Sequence, residues 1–225
     1  MSDSARTTPS AIAAVVFDLD GVLIESEGAW SVIREELTAE RGGNWHAGAH
    51  EDMMGMSSTE WSVYMRDELG VDREPEEISD EVVSRLSELY ARDLPVLPGA
   101  VEAVEGLAQR WPLAVASSSN RPLIERVLEL LGVAAAFSAI VSSEEVARGK
   151  PAPDVYLEAA ARLGVDPSAC AAVEDSSNGL RSARAAGMRV VAVPSASYPP
   201  AEDALAGAAV VLRDLSELTP EAIAA

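Results

Sequence analysis

Residues 12–17 form an unbroken apolar run, Ile-Ala-Ala-Val-Val-Phe, that stops abruptly at Asp18, Leu19, Asp20 and Gly21. A strand with one wet face alternates apolar and polar residues, so a run with no polar position has to be covered on both faces. That condition is met by a central strand of a parallel sheet. Further short apolar runs occupy 113–116, 139–141, 171–173, 190–193 and 209–212, and stretches of helical period fill 101–110, 122–131, 155–163 and 179–186 between them. Strand and helix alternate, which predicts an α/β chain with a doubly wound parallel sheet built on right-handed crossovers.

Residues 25–93 break this alternation. They carry helix-like segments at 29–41, 59–69 and 76–92 and no convincing strand. The stretch reads as an inserted, small all-helical cap domain at 25–93, with 1–24 and 94–225 forming the α/β core. Pro95, Pro98 and Gly99 interrupt helix on both sides and mark the return. Both ends of the insert abut the sheet, which places it over the carboxyl ends of the strands, where doubly wound sheets bind ligands.

Charge narrows the partners. A formal net charge of -20 leaves no basic face to displace counterions from phosphates, which argues against nucleic acid and against an anionic membrane. No apolar run is long enough to span a bilayer, and the first ten residues are polar, unlike a secretory signal. One cysteine, Cys170, excludes an intrachain disulfide and fits a reducing compartment, so a cytoplasmic location is expected, with a monomer as the default. Of the 17 basic residues only Lys150 is lysine. A lysine is a compact point charge on a flexible stem, suited to reaching a phosphate in a tight site.

The polar residues that end the apolar runs fall into place around it. Asp18 and Asp20 follow the first run. On its own that pair is equally an Asp-Gly turn. Ser117 follows the second run and opens Ser118, Ser119 and Asn120, a strand end whose backbone N–H groups can cradle phosphate or simply start a helix. Lys150 lies just ahead of a helix beginning near Pro153 and Asp154. Glu174 and Asp175 follow the run at 171–173. Hard oxygen ligands from Asp18, Asp20, Glu174 and Asp175, with no histidine or thiol, suit Mg2+ better than zinc or copper. The implied chemistry is phosphoryl transfer.

Together these motifs resemble the haloacid dehalogenase superfamily, in its phosphatase and β-phosphoglucomutase-like branch with a helical cap. Asp18, Asp20, Gly21 and Leu23 match its D-x-D-G-x-L pattern, Ser117 its strand-end serine, Gly149 to Asp154 its lysine loop, and Glu174 to Gly179 its acidic motif. The resemblance implies a Mg2+-dependent phosphohydrolase acting on a small phosphorylated metabolite. Asp18 would attack phosphorus to form an aspartyl phosphate, and Asp20 would serve as general acid and then base. Mg2+ would be held by the Asp18 side chain, the Asp20 backbone carbonyl and the Glu174 and Asp175 acids; Ser117, Ser118 and Lys150 would bind phosphate oxygens. Asp20 also sets the chain apart from the superfamily's dehalogenases, which lack that acid.

The cap departs from the mutase pattern. Trp30 stands where β-phosphoglucomutases carry a histidine that aligns the acid/base, and Ser58 stands where they carry an arginine for the second phosphate. Both count against the alternative of a sugar-phosphate mutase, and both are candidate cap contacts to substrate. A non-catalytic ligand-binding member is a third reading, opposed by the complete residue set. The cap has no lysine for Schiff-base chemistry, and its arginines Arg34 and Arg66 fit many phosphate esters. Trp45, Trp61, Met53, Met54 and Met56 read as cap core or its underside, His46 and His50 as exposed loop residues, and Glu144 and Glu145 as solvated surface.

Overall fold

The structure, a computed structural model, describes residues 11–224. The polar segment 1–10, which includes the first part of the expected core range, lies outside the described residues. Six strands, β1 (Ala14–Phe17), β2 (Leu113–Ser117), β3 (Phe137–Ser142), β4 (Cys170–Glu174), β5 (Arg189–Ala192) and β6 (Val210–Val211), form one sheet in the order β3-β2-β1-β4-β5-β6. Every pairing is parallel. The fold is therefore the expected doubly wound α/β sheet. Strand order reverses direction beside β1, so β1 and β4 flank the crevice in which such sheets place ligands.

The two faces of the sheet are filled differently. Val15, Phe17, Leu113, Val115, Ala171 and Val173 face one apolar cluster, and their neighbours Ala14, Val16, Ala114, Ala116, Cys170 and Ala172 face the other. Small residues dominate the second face, which meets Val155, Tyr156, Ala159 and Ala160 of a crossover helix. Every residue of β1, β2 and β4 is buried, as the unbroken apolar runs require. The edge strand β6 has one neighbour and shrinks to two residues, while β3 begins two residues before its apolar run because Phe137 pairs with Leu113.

Between β1 and the first core helix stand α1 (Glu27–Glu40), α2 (Ala49–Met53), α3 (Ser58–Asp67) and α4 (Pro75–Arg92). The core helices follow: α5 (Ala100–Ala108), α6 (Arg121–Leu131), α7 (Asp154–Leu163) and α8 (Ser177–Ala185), then the short α9 (Glu202–Leu205) and α10 (Pro220–Ala224). Helix α3 starts at a reciprocal capping box: Ser57 N–H donates to Glu60 at 2.8 Å and Glu60 N–H to the Ser57 hydroxyl at 3.4 Å. Helix α4 buries Ile78, Val82, Leu86 and Tyr90, one stripe at helical spacing. The apolar residues of these four helices run without a break into one face of the sheet.

Helix α2 overturns one expectation. Gly48 does not prevent the helix but stands at its N-cap, and packing of Ala49 and Met53 holds the single short segment. His50 is consequently buried at 6% exposure rather than solvated, with its ring edge-on to Tyr198; His46 is exposed as expected. Glu144 and Glu145 are likewise engaged rather than merely solvated. Glu144 accepts from Ser58 and from Asn120, and Glu145 pairs with Arg121 and Arg162. Among the described residues no helix is long and apolar enough to cross a membrane.

Candidate active site

Three chain segments deliver charge to the crevice between β1 and β4. The Lys150 ammonium lies 2.9 Å from Asp18 Oδ1 and 2.7 Å from Glu174 Oε1. All three side chains are buried. Burial disfavours the ammonium, but the two carboxylates outweigh it and hold Lys150 above its ordinary range, so it is charged. Glu174 is saturated with donors: Lys150 and the Tyr156 hydroxyl at Oε1, and the Asp175 N–H, Ser176 N–H and Ser176 hydroxyl at Oε2. Burial pushes its carboxyl up, yet Lys150 and these hydrogen bonds bring it below the usual carboxylate value.

Asp18 and Asp175 are in the opposite condition. Burial raises both well above the ordinary carboxylate range, and Glu174 adds repulsion to each; for Asp18 the Lys150 charge offsets only part of this. One oxygen each of Asp18, Glu174 and Asp175 lie within 4.8 Å of one another, and buried Asp175 Oδ1 has no hydrogen-bond partner among the described residues. Three acids thus surround one lysine, and one of their buried oxygens is left without a donor among the described residues. Glycines make room for this crowding. A Cβ on Gly21, at φ +77°, would stand 2.0 Å from Asp175 Oδ2, and one on Gly179 would stand 1.5 Å from Glu174 Oε1. The donor set is hard oxygen throughout, so the residues fit a divalent cation such as Mg2+.

The Asp20 carboxylate does not join this cluster. It turns toward the cap and accepts from the Ser26 hydroxyl at 2.6 Å and Trp30 Nε1 at 3.3 Å on Oδ1, and from the hydroxyls of Ser119 at 2.7 Å and Ser117 at 3.3 Å on Oδ2. Only its backbone carbonyl is left for the metal role that the resemblance assigned to it.

Above these groups lies a cavity of about 330 Å3, floored by Asp18, Asp20, Lys150 and Asp175. The core side adds Ser118 and Ser119. Cap residues Trp30, Arg34, Met53, Met54, Met56 and Trp61 close it, so residues read as cap core or its underside line the site from the cap side. Ser117 is fully buried and not part of the wall; its hydroxyl accepts the Ser119 N–H at 3.0 Å and holds the turn. Ser58 is not in the wall either, because its hydroxyl bonds Glu144 and ties α3 to the core. Sequence reasoning missed Ser119, Glu27 and the Tyr198 to Pro200 wall. Ser119 stood inside a serine run already singled out, whereas residues 198–200 follow β5 without any motif.

The geometry can be set beside known proteins. The family description haloacid dehalogenase-like hydrolase matches residues 12–187. Hexitol phosphatase B of Escherichia coli (strain K12) is 35% identical over 227 residues, covering 95% of this chain and 97% of the relative. The chain belongs to the haloacid dehalogenase-like hydrolase family. Fructose-1-phosphate phosphatase YqaB of Escherichia coli (strain K12) is 30% identical, covering 80% of this chain and 96% of its own length. Among solved structures, CbbY from Rhodobacter sphaeroides, in complex with phosphate, superposes with a TM-score of 0.85 at 26% identity, over 94% of this chain and 99% of CbbY. Set among these relatives, the protein is a haloacid dehalogenase-like hydrolase.

Proposed function

We propose that this enzyme hydrolyses the phosphate ester of a small sugar-like metabolite through a covalent phosphate on Asp18. The observation that carries the reading is the division of labour between two aspartates two residues apart. Asp18 sits in the buried, lysine-paired floor, and Asp20 is held away from it by four donors.

The chain's own groups supply the steps. An Asp18 carboxylate oxygen attacks phosphorus as the ester P–O bond breaks, and the leaving alkoxide takes a proton from the Asp20 carboxyl. The Asp20 carboxylate then removes a proton from water as that water attacks the aspartyl phosphate, freeing Asp18 and inorganic phosphate. Lys150 and the Ser118 and Ser119 segment face the phosphoryl oxygens and stabilise their charge. Glu174 keeps Lys150 in place and charged. Mg2+, held by Asp18 and Asp175 with Glu174 adjacent, would screen the repulsion between carboxylate and phosphate. The cap side chains exclude bulk water during the two displacements.

The sugar-phosphate mutase reading has no supporting contact, since Ser58 stands at the expected second-phosphate position and its hydroxyl is committed to Glu144. The test is phosphate release from p-nitrophenyl phosphate, hexitol phosphates and hexose phosphates, with Mg2+ and with chelator. Metal-dependent release that falls by about 10^3-fold or more in Asp18→Asn supports the nucleophile. Undiminished release in Asp18→Asn would overturn it, and interconversion of hexose phosphate isomers without release would instead establish the mutase.

A further inference from the structure

Among the described residues Arg34 is the one arginine that is buried, at 5% exposure. It sits on the third turn of α1 and forms part of the wall of the cavity that holds Asp18 and Lys150. Its guanidinium carbon lies 4.5 Å from the ring centre of Trp30 and 4.6 Å from that of Trp61. The two indoles, inclined at 65° to each other, hold the guanidinium between their faces and leave its N–H edges to point elsewhere.

Those edges have no partner among the described residues. Buried Nε makes no hydrogen bond, and no carboxylate among the described residues lies within ion-pair distance of the group. This is not for want of acids: the chain has 37, and Arg41, Arg85, Arg121, Arg162, Arg181 and Arg213 each have one in contact. Arg66, the other cap arginine singled out in the sequence, is half-buried and already bound to Asp67. Glu27, two turns before Arg34 on α1, compensates it only in part. Burial raises the Glu27 carboxyl to about 7, and its contact is with His50 at 3.4 Å.

A desolvated cation without a counter-ion is costly, and the guanidinium fork matches the two oxygens of a carboxylate or phosphate. We propose that Arg34 binds a second anionic group on the substrate, so that the preferred substrate is a phosphate ester whose leaving group itself carries a carboxylate or a second phosphate. This rests on the hydrolase reading, in which the scissile phosphate lies at Asp18 and Lys150. Trp30 and Trp61 fix the reader, and Arg34 determines specificity without touching the reacting atoms.

The experiment compares wild type with Arg34→Met, which keeps the apolar stem between the indoles, and Arg34→Lys. Four probes are used: p-nitrophenyl phosphate, a hexitol phosphate, 3-phosphoglycerate and fructose 1,6-bisphosphate. Wild type is expected to prefer one of the two charged-tail esters, and the preferred one identifies the anion as carboxylate or phosphate. Arg34→Met should lower kcat/KM for it by roughly 30-fold or more, mainly through KM, while changing p-nitrophenyl phosphate and the hexitol phosphate, which lack a second anion, by less than about three-fold. Arg34→Lys should recover part of the loss. Equal losses on all four esters, or a wild-type preference for the hexitol phosphate, would overturn the inference. Absence of any hydrolysis would instead defeat the reading of Asp18. Titration of the charged esters into Asp18→Asn, with and without Arg34→Met, then decides the role of Arg34 from affinity alone.

Discussion

The indole Nε1 of Trp30 lies 3.3 Å from Asp20 Oδ1 while the same ring carries the Arg34 guanidinium on its face at 4.5 Å. One cap residue thus touches both Asp20, the proposed acid/base, and the Arg34 guanidinium, the proposed reader of a second anion. Its N–H edge orients the Asp20 carboxylate together with Ser26 and Ser119. In the proposed mechanism Trp30 is a positioning residue, acting through Asp20.

Trp30→Phe removes that donor and keeps an aromatic face. A hydrogen bond to a charged group contributes roughly 1.5–3 kcal/mol, and loss of part of it from the transition state should lower kcat about 10-fold. With p-nitrophenyl phosphate KM should stay within about two-fold, since Trp30 touches the acid rather than the phosphate. Trp30→His, which restores a ring N–H, should recover part of kcat. An equal fall in kcat and stability without rescue would show that the indole only packs.

Gly179→Ala should destabilise the protein, although the same change in an ordinary helix interior gains about 1 kcal/mol. The new methyl would overlap the Glu174 carboxylate at 1.5 Å, displacing the acceptor that holds Lys150, Tyr156 and the Ser176 turn. Disrupting a buried ion pair costs about 3 kcal/mol or more, so the Tm should fall by about 6–12 °C. Gly106→Ala, in α5 with open space around its Cβ position, is the control and should raise Tm slightly. Calorimetric scans of the two variants check the contrast.

Mg2+ should stabilise the fold, because it relieves repulsion among Asp18, Glu174 and Asp175. At a hundred-fold excess over Kd the gain is about 2.7 kcal/mol, or roughly 5–10 °C in Tm. Asp175→Asn should shrink this response and, with one buried charge fewer, should melt above wild type in chelator. A variant that melts below wild type in chelator would show that Asp175 serves the apo fold rather than a cation.

Glu27→Gln should stabilise the protein at alkaline pH and change little at pH 5. The folded-state carboxyl is raised from 4.5 to about 7, by burial first and by Asp20 second. The folded state therefore holds its proton more tightly than the unfolded chain, and stability is lost as pH rises from about 4.5 through about 7. A gap of that size is worth on the order of 2–3 kcal/mol at pH 8, reduced by whatever charge His50 carries. Denaturant unfolding of both proteins at pH 5 and pH 8 measures it, and an equal difference at the two values would refute the assignment.

Most of the core was legible in the chain because its constraints are local or periodic. An apolar run without polar positions favours an interior strand, and residues 14–17, 113–116 and 171–173 became the buried β1, β2 and β4, whereas the runs at 139–141 and 209–212 ended as the edge strands β3 and β6. Acids or a serine immediately after such runs have to emerge at the carboxyl edge, which is why Asp18, Asp20, Glu174, Asp175 and the serine turn met Lys150 in one crevice. The cap was legible as helices but not in detail. Helix α2 is too short to show a period, and His50 is buried by Tyr198, a residue 148 positions away.

By itself the sequence determined the strand and helix alternation, the helical insertion and the identity of the charged floor, since each follows from neighbouring residues and the handedness of crossovers. Only the tertiary structure decided which side chain faces what. It turned Asp20 from the acidic cluster toward Trp30, withdrew Ser117 and Ser58 from the cavity, and left Arg34, unlike Arg66, buried with no ion-pair partner among the described residues. Those outcomes depend on distances between residues far apart in the chain, which helix packing over the sheet sets and no local pattern records.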